Sequence, residues 1–151
     1  MAVQAVPAGF GMLTPYVMVE NAAGMIAFVE RVMGGQVQHM SKHPADGLVM
    51  HASLRVGDSM LMVSDARPPE WAARPTAFYV YVPNADELYE RAIAAGAVSI
   101  RAPQVQPYGD RMGGVTDPCG NQWWFATHVE DVSEEEFAKR RAKMFEGKAA
   151  G

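Results

Sequence analysis

Two similar segments of the sequence constrain the fold more than any other feature. Residues 16–37 read YVMVENAAGMIAFVERVMGGQV, and residues 79–100, which begin 63 positions later, read YVYVPNADELYERAIAAGAVSI. Each combines a short strand pattern, an Asn placed to cap a helix, a helical stretch and a glycine that can end the helix. Strand patterns separated by turn signals at 46–47, 57–58 and 117–120 follow the two copies. The repeat therefore predicts two β-α-β-β-β modules.

The predicted architecture is a single α+β domain over residues 1–151, in which both modules contribute to a curved mixed sheet with a concave ligand cup. The segment DARPPEWAARP contains three prolines, which break regular structure, and separates the modules. Ser133 and Glu136 have capping-box spacing and predict a final charged helix. The predicted boundaries are 12–64 for the first module, 65–75 for the linker, 76–130 for the second module and 133–147 for the helix.

Composition and charge exclude several classes of function. The net charge of −4 disfavours nucleic-acid binding, which requires a basic surface. No apolar run reaches about 18 residues, so we expect no membrane span. The only cysteine is Cys119, which permits no internal disulfide, and the N-terminus lacks the pattern of a signal peptide. We therefore expect a cytoplasmic protein.

The two copies, with a DP-x-G turn before the last strand, resemble the vicinal oxygen chelate superfamily of glyoxalases, bleomycin-resistance proteins and extradiol dioxygenases. The segments HASLRVGDSMLMVSD and YGDRMGGVTDPCGNQWWFATHVEDVS are similar to its PhnB-like branch. The resemblance covers about residues 12–133. It implies the fold, and it implies that modules pair within or between chains. It does not define an activity, because such folds support many activities.

The resemblance also implies where a metal would bind. Metal-dependent members use four side chains, from the first and last strand of each half. Carried over one at a time, these positions are Thr14 and Met62 in the first half and Ala77 and Trp124 in the second. None is His, Asp or Glu, which divalent metals in this fold require. We therefore expect no metal and no other cofactor.

Alternation along the strands predicts which side chains line the cup. In the strand at 48–56, Leu48, Met50, Ala52, Leu54 and Val56 are assigned to the helix face, and Val49 to the cup with the polar residues. Trp123 is assigned to the core and Trp124 to the cup. The loop at 110–111 contributes Arg111. The predicted ligand-binding residues are Tyr16, Met18, His51, Ser53, Arg55, Met62, Tyr79, Tyr81, Arg111, Gln122 and Trp124.

Each of these assignments has a structural alternative. The tyrosines could be packing residues in a filled sheet, Arg55 could form a rim salt bridge, and His51 could be hydrogen-bonded to its neighbours. The predicted function is metal-independent binding of an aromatic or amphipathic small molecule by a homodimer. The alternative is a metal-independent lyase, isomerase or hydrolase with His51, whose ordinary pKa is about 6.5, as general acid or base. A metal-dependent glyoxalase or dioxygenase is disfavoured by the four positions.

Overall fold

The computed structural model describes residues 2–146, which form two four-stranded sheets and three helices. The elements are β1 (Tyr16–Val19), α1 (Ala22–Met33), β2 (Gln36–Lys42), β3 (Val49–Val56), β4 (Ser59–Asp65), β5 (Ala77–Tyr81), α2 (Ala85–Ala94), β6 (Val98–Val105), β7 (Asp110–Thr116), β8 (Gln122–His128) and α3 (Glu134–Phe145). The predicted α+β class and the two β-α-β-β-β modules are confirmed.

The two modules have the same strand topology. The first sheet has the order β1-β4-β3-β2 and the second has the order β5-β8-β7-β6. In each sheet the first strand pairs in parallel with the last, and the other neighbours are antiparallel. Tyr16 is in register with Met62, and Tyr79 is in register with Trp124. The sequence repeat therefore corresponds to a structural repeat.

The predicted helix caps are present in all three helices. The side chain of Asn21 accepts a hydrogen bond from the backbone N–H of Gly24 at 2.9 Å, and that of Asn84 accepts one from Glu87 at 3.1 Å. Ser133 accepts one from Glu136 at 3.2 Å. The first helix ends at Gly34, whose φ of 66° lies in the left-handed region that glycine adopts without strain.

A shared core lies on the helix side of both sheets. It contains residues of α1 and α2 together with alternate residues of the strands. The rings of Phe28 in α1 and Trp123 in β8 have centroids 6.1 Å apart, which joins the two modules. Fully buried valine and phenylalanine side chains of this kind each contribute about 1.5–3 kcal/mol. As predicted, Trp123 is a core residue.

A β-bulge at the start of β3 corrects one face assignment. Ser41 pairs with His51 and Lys42 pairs with Val49, so Met50 is the additional residue that opposes no partner. The alternation therefore reverses at Met50. Val49 is buried in the core, and Met50 is 50% exposed, opposite to the prediction; Leu48, predicted to face the helix, is also exposed.

The element boundaries differ slightly from the prediction. The strand β4 extends through Asp65, which was assigned to the linker, and β5 begins at Ala77. The helix α3 runs from Glu134 to Phe145, while the predicted end at 147 lies outside the described residues. No helix within residues 2–146 is both long enough and apolar enough to cross a membrane.

Candidate functional site

The face of the first sheet that points away from the helices brings together six of the predicted residues. One row across the sheet contains Tyr16, Met62, Ser53 and His39 in register. The neighbouring rows contribute the remaining predicted residues, which are Met18, His51 and Arg55. We call this surface the first face.

Trp71 adds an aromatic ring to the first face that the sequence analysis missed. Its ring meets Tyr16 edge-on, with centroids 6.1 Å apart, and Tyr16 in turn lies 5.7 Å from the ring of His51. The backbones of Arg67 and Trp71 exchange hydrogen bonds of 2.7 and 3.0 Å, which fold the linker back over the sheet. A cavity of about 180 Å³ lies here, lined by Tyr16, Met50, Ser64, Asp65, Arg67 and Trp71.

Two polar residues of the first face are less accessible than predicted. The hydroxyl-bearing Ser53 is buried and lies between His39 and Met62 in the row. Arg55 lies at the end of the face, where the N-terminal segment crosses it. A Cβ at Gly9 would lie 2.3 Å from Nη2 of Arg55, so the backbone of that segment contacts the guanidinium. Arg55 therefore sits at the end of the first face, against the N-terminal segment.

The corresponding surface of the second sheet carries Tyr79, Tyr81, Gln122 and Trp124, and we call it the second face. The indole of Trp124 lies flat over the backbone of Gly114, because a Cβ at Gly114 would be 2.3 Å from its Cε3 atom. The indole N–H donates to Oε1 of Gln122 at 3.3 Å. The rings of Tyr79 and Tyr81 meet at an angle of 64° with centroids 5.3 Å apart, which forms an aromatic corner beside Trp124.

A buried carboxylate organises one end of the second face. Asp110, which is 2% exposed, accepts hydrogen bonds at Oδ2 from the hydroxyls of Tyr79 (2.8 Å) and Tyr81 (2.9 Å). Its Oδ1 atom lies 2.8 Å from Nδ1 of His128, and the hydroxyl of Tyr108 lies 3.2 Å from that of Tyr79. We call Tyr79, Tyr81, Tyr108, Asp110 and His128 the tyrosine–aspartate cluster.

The hydrogen bonds of this cluster shift the pKa values of its members. Burial acts to raise the pKa of Asp110, but hydrogen bonds from His128, Tyr79 and Tyr81 outweigh it and hold the pKa below its ordinary value. The contact with Asp110, followed by that with Asp131, raises the pKa of His128. Burial, Tyr108 and Asp110 raise the pKa of Tyr79, and the hydrogen bond to Asp110 raises that of Tyr81.

Arg111 is the one predicted site residue that lies on the opposite side of its sheet. It follows Asp110 in β7, and neighbouring residues of a strand point to opposite faces. Its guanidinium forms two hydrogen bonds of 2.7 Å with the carboxylate of Asp86 in the first turn of α2. The structure therefore places Arg111 in an ion pair that attaches α2 to the sheet, away from the other predicted residues.

The four positions that the resemblance assigns to a metal, which are Thr14, Met62, Ala77 and Trp124, include no His, Asp or Glu. Thr14 precedes β1, so the residues in register with Met62 and Trp124 are Tyr16 and Tyr79. Tyr16 therefore lies beside Met62 on the first face, and Tyr79 lies beside Trp124 on the second. Within residues 2–146 no group of three or more His, Cys, Asp or Glu side chains is arranged to hold a metal.

A larger cavity, of about 670 Å³, lies between the modules, and its lining includes Tyr79 and Tyr81 of the second face. Met33 of α1, Leu88 of α2 and Phe78 of β5 line it, together with the turn between β3 and β4. Most of these side chains belong to the helix side of the sheets. We take the two faces, which carry the polar and aromatic groups, as the candidate site, and this cavity adjoins the second face at Tyr79 and Tyr81.

Comparison with known proteins agrees with this architecture. A protein of Mycobacterium tuberculosis strain H37Rv, itself uncharacterised, is 28% identical over 158 residues, covering 97% of this chain and 89% of the relative. The crystal structure of TioX from Micromonospora sp. ML1 is 26% identical, with a TM-score of 0.65 over 79% of this chain and 99% of TioX. A PhnB protein from Bacillus cereus, described as a putative 3-demethylubiquinone-9 3-methyltransferase, shares the fold at 16% identity and a TM-score of 0.63, over 78% of this chain and 99% of that protein.

The family assignment rests on a match that covers most of the chain. Residues 9–125 match the family model described as the Glyoxalase/Bleomycin resistance protein/Dioxygenase superfamily. The predicted resemblance is thereby confirmed, including the presence of a PhnB protein among the structural neighbours. The chain belongs to the Glyoxalase/Bleomycin resistance protein/Dioxygenase superfamily.

Proposed function

We propose that this protein binds a flat aromatic or amphipathic small molecule on its aromatic faces without the help of a metal ion. The observation that carries the proposal is the exposure of large aromatic rings on both faces: Tyr16, Trp71, Tyr79 and Tyr81 are all among the exposed large hydrophobic residues. Rings of this size are costly to leave in water and are well suited to stack on a planar ligand. Apolar walls with a few polar groups are typical of small-molecule sites.

The absence of a metal from the mechanism is supported by the chemistry of the four neighbouring positions. Tyr16 and Met62 in the first sheet, and Tyr79 and Trp124 in the second, offer no imidazole and no carboxylate. A neutral phenol, a thioether and an indole are poor ligands for the hard and borderline divalent cations. Their apolar surfaces favour an organic compound at the same positions.

A homodimer is part of the proposal, because each face is only one wall. The site residues divide between two separate sheets, and the ring contacts among the residues of the two faces stay within one face or the other. A second copy that places its second face over the first face of its partner would enclose two equivalent cups. A stable dimer requires about 800 Å² of buried surface per partner, and the aromatic faces offer an apolar contact area for it.

An enzyme that uses His51 as general acid or base is the second candidate. The observation that favours it is the position of this imidazole on the first face, with ring centroids 5.7 Å from Tyr16 and 6.1 Å from His39. A bound compound stacked on Tyr16 would adjoin an imidazole, a side chain that can donate or accept a proton in catalysis. This candidate predicts that His51→Ala retains binding of a co-purified compound and abolishes its conversion.

The proposed function is tested by native mass spectrometry of the purified protein and by titration with 2-naphthylmethanol, a neutral bicyclic probe. We expect a dimer mass, an organic compound rather than a stoichiometric metal, and probe binding measured by calorimetry. Tyr16→Ala and Trp124→Ala should each weaken binding by about tenfold, equivalent to about 1.4 kcal/mol. Phe145→Ala is the matched control, because it removes an exposed ring from α3, outside both faces.

The outcomes separate the parts of the proposal. A stoichiometric metal that resists dialysis would overturn metal independence. A monomer mass at micromolar concentration would overturn the dimer. Equal effects of Phe145→Ala and Tyr16→Ala would show that the probe binds exposed rings without preference for the faces, and would overturn the assigned site.

A further inference from the structure

The hydroxyl protons of the tyrosine–aspartate cluster are all committed within the cluster. An ionised carboxylate can only accept hydrogen bonds, so Tyr79 and Tyr81 must donate their single protons to Oδ2 of Asp110. The oxygen of Tyr79 can then only accept from Tyr108, whose proton is thereby used as well. The polar atoms that remain available to a ligand, the oxygens of Tyr81 and Tyr108, therefore present lone pairs and no proton.

The charge of this region is negative as well. His128 lies between two carboxylates, with Nδ1 2.8 Å from Asp110 and Nε2 2.8 Å from Asp131. Both ring nitrogens donate in this arrangement, so the imidazole is protonated and the three groups together carry a net charge of −1. The next cation, Arg140, is already paired with Glu130 and Glu136.

The second face offers little to attract an anion near the cluster. Arg111 is held on the opposite side of the sheet by Asp86. Arg101 of β6 is in register with Gly114 of β7. The backbones of Arg101 and Tyr79 are separated by three strand spacings, or about 14 Å.

We propose that the second face selects planar ligands that carry a protonated amine, with the ring stacked beside Trp124 and the ammonium group held in the corner formed by Tyr79 and Tyr81. The faces of the two rings attract a cation, and hydrogen bonding of both phenols to a carboxylate increases their electron density. The phenol oxygens of Tyr81 and Tyr108 accept hydrogen bonds that the N–H groups of the amine donate. This inference rests on the proposed function and names its ligand class.

The experiment compares three probes that share one ring system: 2-naphthylmethylammonium, 2-naphthylmethanol and 2-naphthoate. Each is titrated into the full-length protein at neutral pH, and the dissociation constant is measured by calorimetry. We expect the ammonium to bind about tenfold or more tightly than the alcohol, and the carboxylate to bind most weakly. The preference should decline with added salt, since it is electrostatic.

Two variants connect this preference to the cluster. Asp110→Asn removes the buried charge and frees the tyrosine protons, so it should reduce the advantage of the ammonium over the alcohol to about threefold or less. Tyr81→Phe removes one acceptor from a side chain that is 65% exposed, and should weaken ammonium binding more than alcohol binding. Because Tyr81 is exposed, this variant keeps the test informative if Asp110→Asn fails to fold.

The matched control is Glu90→Gln, which makes the same change of net charge on the exposed surface of α2. It should leave all three dissociation constants unchanged. Equal affinity for the ammonium and the alcohol in the parent protein, or an ammonium preference that survives both Asp110→Asn and Tyr81→Phe, would overturn the inference and leave the proposed function intact. Failure of all three probes to bind would instead overturn the proposed function.

Discussion

Replacement of the two adjacent tryptophans should separate the core from the binding surface. Trp123 is 3% exposed; its ring stacks on Phe78 at a centroid distance of 4.3 Å, and its indole N–H donates to Oδ2 of Asp117 at 2.8 Å. Trp123→Ala removes this packing and should lower the free energy of unfolding by about 3–5 kcal/mol. Trp124 is only partly buried, so Trp124→Ala should cost about 1–2 kcal/mol.

A second pair of substitutions isolates the hydrogen bond from the ring. Asp117 organises the turn before β8 by accepting from the backbone N–H groups of Cys119 and Asn121 as well as from Trp123. Trp123→Phe retains an aromatic ring but leaves this buried carboxylate one donor short, which should cost about 1–3 kcal/mol. Trp124→Phe loses only a 3.3 Å contact with Gln122 and should be close to neutral in stability.

Urea unfolding followed by circular dichroism measures all four variants on the same scale. The m-value should stay constant across the set, so that differences in midpoint report stability. The reasoning would be refuted by a reversal of the two alanine variants, in which Trp124→Ala costs more than Trp123→Ala. It would also be refuted if Trp123→Phe were as stable as the parent, because the buried bond to Asp117 would then contribute nothing.

Three further predictions concern the second face and the metal. The pKa of His128 is raised in the folded state. Its contribution to stability is therefore complete below its ordinary pKa of about 6.5 and is lost as the pH rises through the folded value. The stability difference between the parent and His128→Gln, measured by urea unfolding between pH ~5 and ~9, should shrink with rising pH. Gly114→Ala should displace the ring of Trp124, because the added Cβ would meet Cε3 at 2.3 Å, and a changed Trp124 emission spectrum with weaker probe binding would show it. Dialysis against EDTA should leave the melting temperature unchanged, whereas loss of a ligand present at about 100 times its dissociation constant would remove about 2.7 kcal/mol.

The features that the sequence predicted correctly are those determined by local pattern. The repeat, the caps at Asn21 and Asn84, and the opposite faces of Trp123 and Trp124 depend on periods of 2 and 3.6 residues that can be read along the chain. The position of Arg111 was also readable, since it follows Asp110 within a strand. It was misplaced because the segment was interpreted as a loop, where alternation does not apply.

The features that escaped prediction depend on contacts between distant segments. The bulge at Met50 arises from the pairing of β2 with β3, and no residue type within β3 indicates that a bulge is present. Trp71 reaches the first face only because the linker folds back over Tyr16. A large aromatic residue in a proline-rich linker was the available signal, because such a ring is seldom left without a packing partner.

The differences between the two modules explain why only the second contains the tyrosine–aspartate cluster. In the first module, Asp65 accepts a hydrogen bond from the first backbone N–H of α1, at Ala22. In the second module, Thr127 has this role and accepts from the backbone N–H of Ala85 at the start of α2. Counted three residues outward from the equivalent pairs Ala52–Val63 and Gly113–Phe125, His128 then corresponds to Ala66 and Asp110 corresponds to Val49.

In the first module the bulge turns Val49 into the core. The second module has an unbroken strand at this place, which directs Asp110 to the second face. The two faces therefore differ in chemistry: the first carries the imidazoles of His39 and His51, and the second carries acceptor oxygens over the buried carboxylate of Asp110. If the first face of one copy is placed against the second face of the other, acceptor oxygens over a carboxylate line only one wall of the cup between them. A planar ligand with a single ammonium group would consequently bind in one orientation.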